Sequence, residues 1–332
     1  MAEILGIVAL IRPCLKQCMV LCAIGSFALD GWAQTYPARS VRFVVPFQAA
    51  SGTDTIARLI SEGLAHVFGQ QVIVENRPGA AGNIGAEIAA KSPADGYTLF
   101  MVSLTHAANV TVYPKRAYDL VRDFAPVTQL GTGPEMVVVH PSMPVKSVPD
   151  LVRLARAKPG AINFASGGVG TAAFLGMELF KRQAEVNIVH VPYRGGGAAM
   201  TALVAGEVSV YFAPVATAWP MVQQRRLRGL AVTSAKRMPL LPEYPTVAET
   251  GFPGYESGNW YGVLVPVKTP KEIIATIHAA ALAALNHRDI SRRLTELGYI
   301  STGSQPEEFA VYIKAEIERL GKVLQTLTLN AD

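Results

Sequence analysis

Residues 41–68 read VRFVVPFQAASGTDTIARLISEGLAHVF, and this stretch decides the fold. Residues 41–46 form a nearly unbroken apolar run rich in β-branched side chains, the texture of a strand buried on both faces. Small residues follow at 47–54 (FQAASGTD). Over 54–68, Ile56, Leu59, Ile60, Leu64 and Val67 then recur at helical spacing on one face. A buried strand, a small-residue loop and an amphipathic helix make the first half of a βαβ unit, so the expected class is α/β.

The same grammar extends along the chain. Residues 71–75 (QVIVE) read as the next strand, 84–90 as a short helix and 97–102 (YTLFMV) as a third strand. Over 126–139 two apolar runs flank Gly131-Thr132-Gly133-Pro134, where the chain is expected to cross into a second domain. There the pattern restarts, with Ser147 and Asp150 bracketing Pro149 as a helix start and a stop at Pro159-Gly160. A strand at 161–165, a glycine-rich loop and a helix at 171–181 follow, then strands at 187–191, 208–212 and 227–233. Residues 255–266 read as the return crossing. Two helices end the pattern, one opened by Thr269, Pro270 and Glu272, the other by Ser304, Pro306 and Glu307.

Composition narrows the function. Of the 332 residues, 50% are hydrophobic and 17% charged, which supplies a large core and excludes a disordered chain. The net charge of +5 is dispersed, and its densest cluster is Arg225, Arg226 and Arg228. A nucleic-acid groove wants a denser basic stripe with interleaved aromatics, so no nucleic-acid partner is expected.

Residues 1–33 read as a cleavable signal peptide, with Arg12 and Lys16 ahead of an apolar run at 18–29 and a small-residue cut after Ala33. That run falls short of the roughly 20 residues of a membrane span. An uncleaved anchor is the alternative, and Leu21 before Cys22 argues against a lipid anchor. Cys14, Cys18 and Cys22 all lie in this segment. The mature chain is therefore expected in the periplasm without disulfides, a thiolate nucleophile or a cysteine metal site.

Four times a strand meets small residues and a helix start: 47–54 (FQAASGTD), 77–83 (RPGAAGN), 166–171 (SGGVGT) and 194–197 (RGGG). Glycine allows close backbone approach, and a helix N-terminus offers unpaired amides with about half a positive charge. One such loop is a tight connection; the recurrence points to an anion, held by 166–171 against 51–54. Arg194 is the rival, because a guanidinium grips a carboxylate bidentately.

Enzyme chemistry finds no foothold. Residues 168–173 (GVGTAA) match a dinucleotide fingerprint in form, but the next strand ends Val191-Pro192-Tyr193-Arg194 without the acid that holds a ribose. No GxSxG, HExxH or GxxxxGK[ST] motif occurs, and the 6 histidines lack metal-ligand spacing. No cofactor and no metal are expected. His106 is expected at a strand end, and Asp54 either caps its helix or touches the ligand.

Several longer stretches carry a resemblance: YPARSVRFVVPF, VIVENRPGAAGNIGAEIAAKSPADGYTLF, THAAN, FASGGVGTAAFLGMELF, HVPYRGGGAAMTALVAGEV, LPEYPTVAETGFPGYE and WYGVLVPVKTP. In this order, over nearly all of the chain beyond residue 33, they resemble the periplasmic substrate-binding proteins of tripartite tricarboxylate transporters, the Bug family.

The resemblance implies a two-domain periplasmic-binding-protein (flytrap) fold, type II-like, with a discontinuous first domain at 34–130 plus 256–332 and a second at 131–255. It implies a monomeric receptor, not an enzyme, that takes a small organic carboxylate to integral-membrane permease subunits. The expected ligands are di- or tricarboxylates, acidic amino acids or aromatic acids. Carried over by motif, the implied contacts are Phe47, Ser51, Thr53, Asp54, Thr105, His106, Ser166, Gly170, Thr171, Phe212 and Ala213. The chain departs from the family pattern at Gln48-Ala49-Ala50-Ser51, where Pro-Gly-Gly is usual, and at Val110, where proline is common. A sensor subunit signalling to a membrane kinase needs the same cleft and stays open as an alternative. An exported hydrolase or lyase would need a nucleophile–base pair.

Overall fold

The computed structural model describes residues 36–49 and 51–325. The expected signal peptide and its cysteines lie outside the described residues, as does Ala50. The chain divides into two units, Met1–Ala38 and Arg39–Asp332, and every element below belongs to the second.

Val41–Val45 is β1, with Phe43, Val44 and Val45 fully buried as the unbroken apolar run requires. Gly52–Phe68 is α1, which begins where Ser51 Oγ accepts the Asp54 N–H at 3.2 Å. It ends at Gly69, whose φ of 63° is left-handed and suits glycine. Ile56, Leu59, Ile60 and Leu64 are buried, each contributing about 1.5–3 kcal/mol relative to exposure. Val67, expected beside them, is 46% exposed in the last turn.

Val72–Asn76 (β2), Asn83–Ala90 (α2) and Thr98–Ser103 (β3) complete the first parallel units. Leu104–Val112 (α3) follows β3 directly, so Thr105 and His106 lie in the first turn of a helix rather than at a strand end. Phe124–Val139 is one 16-residue strand, β4, where two apolar runs were expected. Its register against a neighbour shifts at bulges between Pro126 and Thr128 and between Gln129 and Gly131, and then runs evenly through Gly131 to Pro134.

The remaining elements in order are Val148–Ala157 (α4), Asn163–Ser166 (β5), Ala172–Ala184 (α5), Val189–Pro192 (β6), Gly196–Ala205 (α6), Val210–Pro214 (β7), Val215–Gln223 (α7) and Arg228–Val232 (β8). Then come Gly258–Pro266 (β9), Lys271–Asn286 (α8), Arg288–Glu296 (α9), Ile300–Ser301 (β10) and Pro306–Gln325 (α10). Thr269 was expected to cap α8; instead its hydroxyl donates to Pro266 O at 2.7 Å and closes the preceding turn.

Two sheets share β4. In the first, β2, β1 and β3 run parallel, and β9 lies antiparallel between β3 and the first half of β4. In the second, the last residues of β4 lie between β8 and β7, and β5 and β6 extend the sheet in parallel beyond β7. The architecture is the expected α/β class, with the chain crossing between the two sheets along β4. Its parallel strands all feed helices from their C-terminal ends, where ligands of open α/β sheets bind.

Candidate functional site

Five helices begin at one cavity of about 150 Å³ between the two sheets. Its wall takes Ser51, Gly52 and Thr53 from the start of α1, Thr105 from α3, and Thr171 and Ala172 from α5. Gly195 to Gly197 at the start of α6 and Val215 to Thr217 at the start of α7 complete the ring. Each N-terminus brings unpaired amides and about half a positive charge. Among the described residues, no Lys, Arg or His lines the wall. The arrangement suits a small anion received by backbone dipoles, and its size lies below the roughly 300–1,000 Å³ of pockets for drug-sized ligands.

The caps are built from local sequence. Thr171 Oγ1 accepts the Phe174 N–H at 3.4 Å and donates to Gly168 O at 2.7 Å, so the hydroxyl shapes the loop as well as the helix end. Ser51 caps α1, and Phe47 lies beside it on the wall. Thr217 Oγ1 donates back to Pro214 O at 3.0 Å. Asn259 ties α3 to β9, its Oδ1 accepting the Leu104 N–H at 3.2 Å.

Of the residues singled out from the sequence, Phe47, Ser51, Thr53, Thr105 and Thr171 come together on the wall. The other six stand behind it. Asp54 is buried, pairs with Arg58 at 2.9 Å and accepts from Asn76 Nδ2 at 2.8 Å, which pins α1 to β2. His106 is fully buried, and its Nδ1 accepts the Ser103 N–H at 3.1 Å, so the proton sits on Nε2. Burial lowers its pKa to about 4, and its ring meets Phe47 edge-on with centroids 5.9 Å apart.

Ser166 Oγ accepts the Gly168 N–H at 3.0 Å and meets His190 Nε2 at 2.7 Å, folding the loop ahead of α5. Gly170 supplies a left-handed φ of 82° in that loop. Phe212 is core, packed on Phe180, and Ala213 is buried in β7. Arg194 is exposed and off the wall.

The structure adds residues that sequence reasoning missed: Glu135, Tyr211, Asn259, Tyr261 and Tyr299. Glu135 is 2% exposed, burial alone raises its pKa well above the usual 4.5, and its Oε2 has no hydrogen-bond partner. Tyr299 Oη is likewise buried without a partner, and burial raises its pKa as well. Tyr261 is pushed up to about 12, chiefly by burial, so the phenols stay protonated. A carboxyl within an apolar strand gave the one local signal available; the tyrosines converge only through tertiary structure.

Comparison with known proteins follows this geometry. The tripartite tricarboxylate transporter family receptor, TctC, matches residues 56–329. R. palustris Rpa4515, solved with adipate, is 38% identical, with a TM-score of 0.84 over 88% of this chain and 98% of that one. MatC from Rhodopseudomonas palustris, solved with bound malate, is 32% identical, with a TM-score of 0.80 over 87% and 100%. The periplasmic binding protein BugD is 27% identical, with a TM-score of 0.82 over 87% and 98%. The match over 56–329, with these relatives on the same fold, places the chain in the TctC family of tripartite tricarboxylate transporter receptors, the periplasmic solute-binding proteins of the Bug type.

Proposed function

We propose that this chain is a periplasmic receptor that captures a small organic dicarboxylate and hands it, unchanged, to integral-membrane permease subunits. The observation that carries the reading is the ring of five helix N-termini around one cavity without a cationic side chain. Each terminus favours an anion by roughly 0.3–1 kcal/mol, up to about 2 when partly buried. Several acting on one ligand outweigh any single contact. Two relatives, solved with adipate and with malate, supply the ligand class.

In this reading export removes residues 1–33. The lobes are 34–130 plus 256–332 and 131–255, and the protein acts as a monomer whose lobes close over the ligand. Wall hydroxyls belong to caps: Ser51 Oγ accepts from Asp54 N–H and Thr171 Oγ1 donates to Gly168 O, which suits binding rather than nucleophilic attack. Release into a permease is easier from several modest contacts split between two lobes than from one guanidinium clamp.

A thermal-shift panel of adipate, malate, succinate, citrate and glutamate tests this. A ligand that binds only the native state adds about 2.7 kcal/mol at a hundredfold excess over Kd. At least one dicarboxylate should raise the melting temperature and be recovered intact by mass spectrometry. If none shifts the transition, or if the bound acid is converted, the receptor reading fails.

A further inference from the structure

Glu135 stands where β4 passes from one sheet to the other, and its backbone is fixed there. Its N–H donates to Thr233 Oγ1 at 2.8 Å, and the Thr233 N–H donates to its carbonyl at 2.9 Å. Thr233 Oγ1 also donates to Ser257 O at 2.8 Å, so the Thr233 and Ser257 segments together hold the residue in position. Gly176 of α5 lets that helix come close: a Cβ there would sit 3.2 Å from Glu135 Oε2. Glu135 is among the residues of the cavity wall, it is almost fully buried, and its Oε2 lacks a hydrogen-bond partner.

A buried polar group left unpaired costs about 1–3 kcal/mol, more if charged. A ligand in the cavity is the partner that would remove this cost. The titratable groups that feel its charge are Tyr211 on β7, Tyr261 on β9 and Tyr255 just before β9. None of these is a cation. Tyr255 is already engaged, donating to Gly176 O at 2.8 Å.

The polarity of the remaining wall decides which partner fits. Five helix ends present amide donors, and Tyr299 offers a buried phenol without a partner. An ammonium-bearing ligand would have to sit among five positive helix ends. An oxyanion would find donors on every side, provided the carboxyl keeps its proton.

We propose that Glu135 is a specificity-determining residue of the ligand site, acting as a neutral carboxylic acid that donates a hydrogen bond to an oxyanion of the bound dicarboxylate. Burial without a cationic neighbour favours that protonated form. The inference rests on the dicarboxylate reading above and adds to it a proton donor that helix termini alone do not supply.

The test uses adipate as the probe and the mature wild-type chain with Glu135→Ala and Glu135→Gln. Calorimetry on the wild type comes first; if no dicarboxylate of the panel binds, the receptor reading fails and this inference falls with it. If adipate binds, Glu135→Ala should weaken it tenfold or more, and Glu135→Gln, which keeps an uncharged donor, should recover most of that loss. Infrared difference spectra of wild type minus Glu135→Gln at neutral pH should show the carbonyl band of a neutral carboxylic acid, displaced by adipate.

Adipate binding as tight in Glu135→Ala as in wild type would overturn the proposal while leaving the receptor reading intact. So would a Glu135→Gln variant as weak as Glu135→Ala, the result expected if an ionised carboxylate is needed for an ammonium-bearing ligand. An infrared band of an ionised carboxylate, or one that adipate leaves unmoved, does the same. Should Glu135→Ala fail to fold, the wild-type band and its response to adipate decide.

Discussion

His106 lies at the first turn of α3 with its ring wholly out of water and its Nδ1 committed to the Ser103 N–H. Burial lowers its pKa from 6.5 to about 4. The unfolded chain therefore takes up this proton near 6.5, while the native chain refuses it until about 4. The stability due to His106 is complete above the higher value and lost as pH falls toward the lower one, on the order of 3 kcal/mol in all. His190, also lowered to about 4, acts in the same direction, so a variant is needed to separate the two. His106→Asn keeps an acceptor for the Ser103 N–H and removes the titration. Urea unfolding at pH about 7 and about 4.5 should find the wild type losing about 2–3 kcal/mol more than the variant. Parallel losses would refute the assignment. Glu135 works with the opposite sign: raised by burial, it costs stability as pH climbs from 4.5 through its folded value. Neither role was legible in the sequence. A histidine after a strand and a glutamate within one look alike whether they face ligand, solvent or core, and burial alone separates the cases.

At the scale of elements, local signals were read well and long-range ones were not. Ser147 and Thr171 start helices as expected, because a cap depends on three or four adjacent residues, whereas α1 is capped by Ser51 and not by Asp54, which lies in its first turn. Three of the four small-residue helix starts read from the chain reach the cavity, at Ser51, Thr171 and Gly195, while the fourth, 77–83, lies off its wall. By contrast α3, α7, α9 and β10 were missed. β10 has two residues, Ile300 and Ser301, and exists through pairing with Thr132 and Gly131 far away in sequence. Close packing between elements gives another prediction. Gly63 on α1 faces Ala284 on α8, and a Cβ there would lie 2.6 Å from Ala284 Cβ and 3.1 Å from Ala284 Cα. Alanine gains about 1 kcal/mol of helix propensity over glycine, whereas overpacking costs about 1–3 kcal/mol. The second effect should win, so Gly63→Ala should lower stability by about 1–2 kcal/mol in urea unfolding. A more stable variant would mean that α8 yields freely.

For the whole molecule, the α/β class was legible, because buried strands and the breaks between them leave marks in composition. The central place of β9 was not, since nothing in 258–266 names β3 and β4 as its neighbours. That place makes the first sheet indivisible: β9 pairs Phe100 with Leu264 on one side and Thr132 with Trp260 on the other. A chain ended after Tyr255 keeps every strand of the second sheet, so it should retain a cooperative transition for that sheet while hydrogen exchange finds β1 to β3 unprotected. The first lobe's share of an ordinary domain's roughly 5–15 kcal/mol should be lost. Protected amides in β1 to β3 of that fragment would show that the first sheet closes without its middle strand. The order of strands also sets a clock. At roughly 5–20 residues per second, a ribosome that has finished β3 works for on the order of ten seconds or more before Leu264 appears. Through that interval the nascent sheet has a gap at its centre, and its first three strands wait unclosed until the chain is nearly finished.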